Sequence, residues 1–211
     1  MKWAIVIIGI VTLIVGLYLI FSVFQKDIYK ILIFLFLGIG SIIAAIKYTI
    51  GKSAYGYKAY GDLSVFIFFG MVGVIGSYYL FTKNFHWITV PGALFTGLMS
   101  CGVLNLNNMR DYENDKKNNK ITLVVKMGIN KSKKYHFLLL FTAISSLITI
   151  VLFTNNYYYL FSMFPLFFVV RHLKLLNKYQ DMKLLDSQLK VIAISCFGCS
   201  FISLIVGLLI N

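Results

Sequence analysis

Polar residues along this chain are confined to short stretches between long apolar runs. The runs predict seven helices: Trp3 to Phe24, Tyr29 to Ile50, Leu63 to Thr82, Trp87 to Leu106, Tyr135 to Phe153, Tyr157 to about Leu176, and Val191 to Ile210. A helix of about 20 apolar residues, at a rise of about 1.5 Å each, crosses a hydrocarbon layer about 30 Å thick. The sixth run departs from this: its unbroken apolar part stops at Val170, and Pro165 predicts a kink. The pattern predicts an all-α, multi-pass transmembrane bundle in a lipid bilayer. Seven spans leave no room for a soluble domain, so residues 1–211 read as a single integral membrane domain. The first run is long and lacks a small-residue cleavage site, so it reads as a span and not as a signal peptide.

Composition agrees. The chain is 59% hydrophobic and only 13% charged, against about 25% charged for a soluble domain. Charge also gives an orientation. With connections numbered alternately from Met1, one side receives 17 basic residues and the other only Lys26, Lys30 and Lys83. This asymmetry places Met1 and the longer polar loops in the cytoplasm and Asn211 outside the cell membrane. A net charge of +13 is compatible with nucleic acid binding in principle. Here the basic residues follow the topology and no soluble basic module exists, so no nucleic acid partner is expected.

Several features read as structural. Cys196 and Cys199 form a CxxC on the last apolar run without two further zinc ligands nearby. Gly70, Gly73 and Gly76 suit close helix packing. His86, His136 and His172 fall near span ends and read as interfacial side chains, as do Tyr157, Tyr158 and Tyr159. The spans are almost free of ionisable groups, which argues against a transporter or channel.

One stretch breaks the apolar pattern. NNMRDYENDKKNNKITLVVKMG, from Asn107 to Gly128, holds three of the seven acids within nine residues. Asn107, Asp111 and Asp115 are spaced four apart, so on a continuing helix they share one face with a drift of about 40° per step. Two carboxylates at that spacing repel unless a cation lies between them. Hard oxygen ligands suit Mg²⁺, which takes one or two carboxylates and completes its shell with water and phosphate oxygens. Arg110, Lys116, Lys117 and Lys120 crowd the same loop. Acids, a metal and cations together predict a diphosphate site.

The pattern NNxRDxxxD followed by KxTLxVxxG resembles the second aspartate motif of the UbiA-type intramembrane aromatic prenyltransferases. A second block, YTIGKSAYGYKAYGDLSVFIFFG from Tyr48 to Gly70, is similar to the loop and helix of the branch that uses 1,4-dihydroxy-2-naphthoate in menaquinone synthesis. Tyr48 and Lys52 match its YxxxK, and Tyr55-Gly56-Tyr57 and Gly61-Asp62 match its YGY and GD. The resemblance covers most of the chain from about residue 30. Asn119 stands where the family usually has glycine, a mild change because Asn tolerates left-handed backbone.

The resemblance implies a substrate set and roles. A polyprenyl group passes from polyprenyl diphosphate to an aromatic acceptor, here 1,4-dihydroxy-2-naphthoate, whose carboxylate leaves as CO₂ on the route to demethylmenaquinone. Asp111 and Asp115 hold Mg²⁺ with Asn107, and Asn108 completes or orients the cage. Arg110 and Lys120 touch phosphate oxygens, and Lys52 reaches the diphosphate from the neighbouring loop. Tyr48 lies near the allylic carbon or the acceptor. Tyr57 is a substrate contact, and Asp62 either holds the acceptor or braces its loop. The family has nine helices and two aspartate motifs. This chain shows seven and one, resembling the family minus its first two helices, with the missing segment in trans as one expectation. The alternatives are a non-catalytic or split-enzyme fragment, and a 4-hydroxybenzoate-type prenyltransferase.

Overall fold

The computed structural model describes residues 2–49, 54–178 and 182–210. These residues form ten α-helices: α1 (Lys2–Phe24), α2 (Ile28–Thr49), α3 (Gly61–Val65), α4 (Ser77–Thr82), α5 (Thr89–Arg110), α6 (Tyr112–Lys117), α7 (Leu123–Met127), α8 (Ile129–Thr154), α9 (Leu166–Leu176) and α10 (Asp186–Ile210). A π-helical segment, Phe66–Gly76, joins α3 to α4, so Gly61–Thr82 is one continuous span. Six helices are long and apolar enough to cross a membrane. A bent pair, Tyr157–Met163 with α9, makes a seventh if counted as one span. The protein is a multi-pass helical membrane protein, as the apolar runs predict.

The seven runs are all present, and the differences lie at their ends. α8 begins at Ile129 and α10 at Asp186, each several residues before the apolar run. Apolar runs mark the thickness of oil, whereas helical hydrogen bonding continues into the polar stretches INKSKK and DSQLK. The sixth run breaks by 43° between Met163 and Leu166, where Pro165 cannot donate a backbone hydrogen bond. Gly198 of α10 seats on that bend: a Cβ there would lie 3.1 Å from the Pro165 ring.

α5 is the centre of the bundle. It buries Ala93, Phe95, Met99, Leu106 and Met109, and a core extends from it through Leu140, Ala143 and Leu147 of α8, Val169 of α9 and Ile192 and Cys199 of α10. α1 differs. It is apolar on every side, yet Phe24 is its one buried residue among those described, as expected for a helix bathed in lipid. Gly70 packs directly on α5, where a Cβ would stand 2.7 Å from the Ala93 carbonyl oxygen and 2.9 Å from the Gly97 Cα. Gly73 meets only the carbonyl of Phe68 in its own segment, and Gly76 meets nothing within 4 Å. Of the three glycines expected to mediate packing, only Gly70 does so between helices.

Two of the three histidines are not interfacial. His136 and His172 are buried inside the bundle, their Nε2 atoms 3.0 Å apart, and His172 Nδ1 lies 2.9 Å from Gln188 Oε1. One ring nitrogen of the facing pair carries the proton and the other accepts it. Hydropathy marks depth along the membrane normal and carries no signal for which side of a helix meets protein. This chain of bonds ties α8, α9 and α10 together. His172→Leu leaves His136 Nε2 and Gln188 Oε1 without their partner, with an expected loss of about 1–3 kcal/mol. Denaturant unfolding in detergent measures it, and an unchanged midpoint rejects the stabilising role.

Candidate active site at the end of α5

The aspartate stretch is almost a continuous helix. α5 ends at Arg110, Asp111 is the junction residue, and α6 begins at Tyr112. The backbone N–H of Asp111 donates to the Asn107 carbonyl at 3.0 Å, and that of Asp115 donates to the Asp111 carbonyl at 2.8 Å. The four-residue spacing therefore translates into one face, as predicted. Asn107 Nδ2 approaches Asp111 Oδ2 at 3.5 Å.

Each carboxylate is held by a cation of the same stretch. Arg110 grips Asp111 in a fork, Nε to Oδ1 at 2.9 Å and Nη2 to Oδ2 at 3.0 Å, and Nη2 also donates to Asn107 Oδ1 at 2.8 Å. Lys120 Nζ reaches both oxygens of the buried Asp115 at 3.1 Å and sits 5.8 Å from the centre of the Tyr57 ring. Asn108 is buried beside them. The Arg110 guanidinium, donating to the Asp111 carboxyl, holds it below the ordinary carboxylate value. A lowered native value means this bond contributes stability above the ordinary value and loses it as pH falls through the lowered one. Asp111→Asn should therefore flatten the acid limb of stability against pH, as read by thermal unfolding in a pH series. An acid limb as steep as the parent's rejects this.

The rest of the motif builds the loop. Asn119 takes a left-handed φ of 54°, the conformation expected where the resembled family has glycine. The Thr122 side chain caps α7 by accepting from the Val125 N–H at 3.2 Å. Gly128, with φ 78°, ends α7.

The two sequence blocks meet here. The Ile121 N–H donates to the Tyr57 carbonyl at 3.1 Å, and Lys58 and Ile121 form an isolated parallel bridge. Ala59, with φ 62°, turns the chain beside that bridge, at a cost of about 1 kcal/mol for a residue with a Cβ. Tyr48, on the last turn of α2, packs edge-on against Tyr55 at 5.5 Å. The Tyr55 hydroxyl donates to the Ala44 carbonyl at 2.8 Å and lies 3.0 Å from Ser64 Oγ. Gly56 lets the turn approach Tyr48: a Cβ there would stand 2.7 Å from the Tyr48 carbonyl oxygen. Lys52 lies outside the described residues.

Two grooves run from these residues into the apolar layer. One, of about 430 Å³, is lined by Tyr48, Tyr55, Ser64, Val65 and Phe69 among others. The second, of about 760 Å³, runs between α5 and α10 from Asn107 and Lys190 past Val103 and Phe197. Val65 and Phe69 line both grooves. Asp62 lies apart from them. Its buried carboxylate accepts from the Tyr135 hydroxyl at 3.1 Å, its carbonyl accepts from Cys101 Sγ at 3.2 Å, and it lines a separate pocket with Leu123 and Leu139. These bonds tie the start of α3 to α8 and α5.

Among the described residues no group of three or more His, Cys, Asp or Glu side chains converges on a metal position. Asp111, Asp115 and Asn107 carry oxygen donors of the kind Mg²⁺ takes, an ion held by one or two carboxylates with phosphate oxygens and water. One acid escaped the sequence reading. Asp186, at the start of α10, lies 2.6 Å from Arg110 Nη1. A contact across 76 residues leaves no local signal in the sequence.

The apolar bundle thus carries two aspartates, each paired with a basic residue, beside a groove between α5 and α10. The chain belongs to the UbiA prenyltransferase family, whose model matches residues 2–194. It is similar to a 1,4-dihydroxy-2-naphthoate octaprenyltransferase of Haemophilus influenzae, 40% identical over 143 residues, covering 68% of this chain and 46% of the relative. It is also similar to proteins of that description in Escherichia coli, 45% identical over 120 residues (57% and 38%), and in Mycobacterium tuberculosis, 40% over 111 residues (53% and 37%). The chain spans less than half the length of these relatives. No solved structure matches it.

Proposed function

We propose that this chain carries the diphosphate-binding aspartate motif of a prenyltransferase. The enzyme moves a polyprenyl group from polyprenyl diphosphate to an aromatic acceptor. The acceptor is 1,4-dihydroxy-2-naphthoate, the compound in the names of the bacterial relatives. The observation that carries this reading is the pair Asp111 and Asp115, each matched to its own cation, at the mouth of an apolar groove that begins at Asn107.

The residues divide the work by chemistry. The allylic C–O bond breaks with its electron pair leaving on the diphosphate, a ring carbon bonds to the allylic carbon, and the ring carboxylate departs as CO₂. Bound Mg²⁺, held by Asp111, Asp115 and Asn107, supplies charge stabilisation to the leaving diphosphate. Arg110 and Lys120 pass from the carboxylates to phosphate oxygens, keeping their charge paired throughout. Lys52, from its motif position, adds a third cation. Tyr48 offers a ring beside the groove where the allylic cation forms, and the apolar walls exclude water from it. The motif loops face the cytoplasm and Asn211 faces outward.

The test is prenyl transfer in membranes of a host lacking its own enzyme, with Mg²⁺, labelled polyprenyl diphosphate and dihydroxynaphthoate. The chain is supplied alone and with a co-expressed N-terminal helical segment of a relative. Labelled prenylated product in either arm supports the reading, and none in both overturns it.

A further inference from the structure

We propose that Asp186 is a positioning residue for the aspartate motif, acting through Arg110. The inference rests on the reading of the site given above. Arg110 spreads its guanidinium over three partners. Nε and Nη2 hold Asp111, Nη2 also holds Asn107, and Nη1 points the opposite way to Asp186 Oδ1. One planar group thus joins the motif at the end of α5 to the first residue of α10.

Asp186 is held in place from below. Leu185 before it is fully buried in the core, and Gln188 two residues on is bonded to His172, itself bonded to His136. Ile192 on the same helix is also fully buried. The Asp186 side chain is itself 66% exposed, so the ion pair adds little to folding stability. What it supplies is geometry. A guanidinium forked onto one carboxylate and tied at its far edge to a second has its plane fixed.

This matters when Asp111 changes partner. A divalent cation approaching Asp111 competes with Arg110 for the same two oxygens. With Asp186 present, the guanidinium keeps an anion while it releases Asp111, and stays beside the incoming phosphate. Without Asp186, its full attraction falls on Asp111 and Asn107, and binding of the cation must break it. Lys120 has no such second acid among the bonds of the described residues, so the device is specific to Asp111.

The experiment measures binding of Mn²⁺ in the presence of inorganic diphosphate to the purified chain, from the paramagnetic resonance signal of free Mn²⁺. Asp186→Asn should weaken binding about tenfold, the low end of losses for groups that orient a metal ligand. In an Arg110→Gln background, Asp186→Asn should have no further effect, because its route to the site is gone. Asp27→Asn, which breaks the 3.1 Å pair with Lys30 at the far end of α2, should bind like the parent. Two results overturn the inference: parent-like binding by Asp186→Asn, or an equal further loss in the Arg110→Gln background. Absence of Mn²⁺ and diphosphate binding in the parent overturns the site reading, and this inference with it.

Discussion

Asp111→Ala and Asp115→Ala should each lower Mg²⁺-dependent prenyl transfer by about 10²–10³-fold, the scale on which removal of one preorganised charge-stabilising group acts. The two variants should fail differently. Asp111 is partly exposed and shares Arg110 with Asn107 and Asp186, so its loss leaves Arg110 partnered and the fold intact. Asp115 is buried, and its cation Lys120 lies over the Tyr57 ring beside the Tyr57–Ile121 backbone bond. Its loss leaves a half-buried ammonium without a counter-charge and loosens the join between the two loops. Asp115→Ala should therefore also lower the unfolding midpoint, and by more than Asp111→Ala, whose partly exposed ion pair is screened by solvent. The measurement is initial rate against Mg²⁺ concentration alongside thermal unfolding in detergent. Full activity in either variant removes that aspartate from the metal site.

Gly70→Val should be the most damaging substitution away from the site. The atoms a Cβ would meet are backbone, the Ala93 carbonyl oxygen at 2.7 Å and the Gly97 Cα at 2.9 Å, and backbone cannot rotate aside as a side chain can. The crossing is reciprocal: a Cβ on Gly97 would stand 3.1 Å from the Gly70 Cα and 2.9 Å from the Phe66 ring. Forcing the third span from α5 is overpacking, with an expected cost of about 3 kcal/mol. It also parts Val65 and Phe69 from α5, the residues that line both grooves. Gly76→Ala, which meets nothing within 4 Å, should be tolerated. Denaturant midpoints of the two variants test the contrast, and equal midpoints reject the close crossing.

What the sequence disclosed follows from which forces are local. Apolar runs report contact with oil, so every span was legible, and Pro165 marked the bend because a missing N–H is a property of one residue. The NxxxDxxxD face was legible because helical spacing sets it, and Asn119 was legible as a left-handed residue. Four features were not. Helix ends at Ile129 and Asp186 run past the apolar signal, because backbone bonding continues into polar sequence. The pairing of His136 with His172 depends on how α8 and α9 face each other, which hydropathy does not encode. Asp186 reaches Arg110 only through tertiary packing. The long π-helical stretch over Phe66–Gly76 has no periodic signature in a segment that is apolar throughout.

The bond from the Ile121 N–H to the Tyr57 carbonyl makes a single amide a reporter for both motif loops. Deuterium uptake at that one position should be slow only while the loops are clasped, so its protection reads out their separation without substrate, label or turnover. It also constrains chimeras. Transplanting either loop from a relative while leaving the other behind pairs a donor with an acceptor that was shaped elsewhere, so the two loops must be exchanged as one cassette.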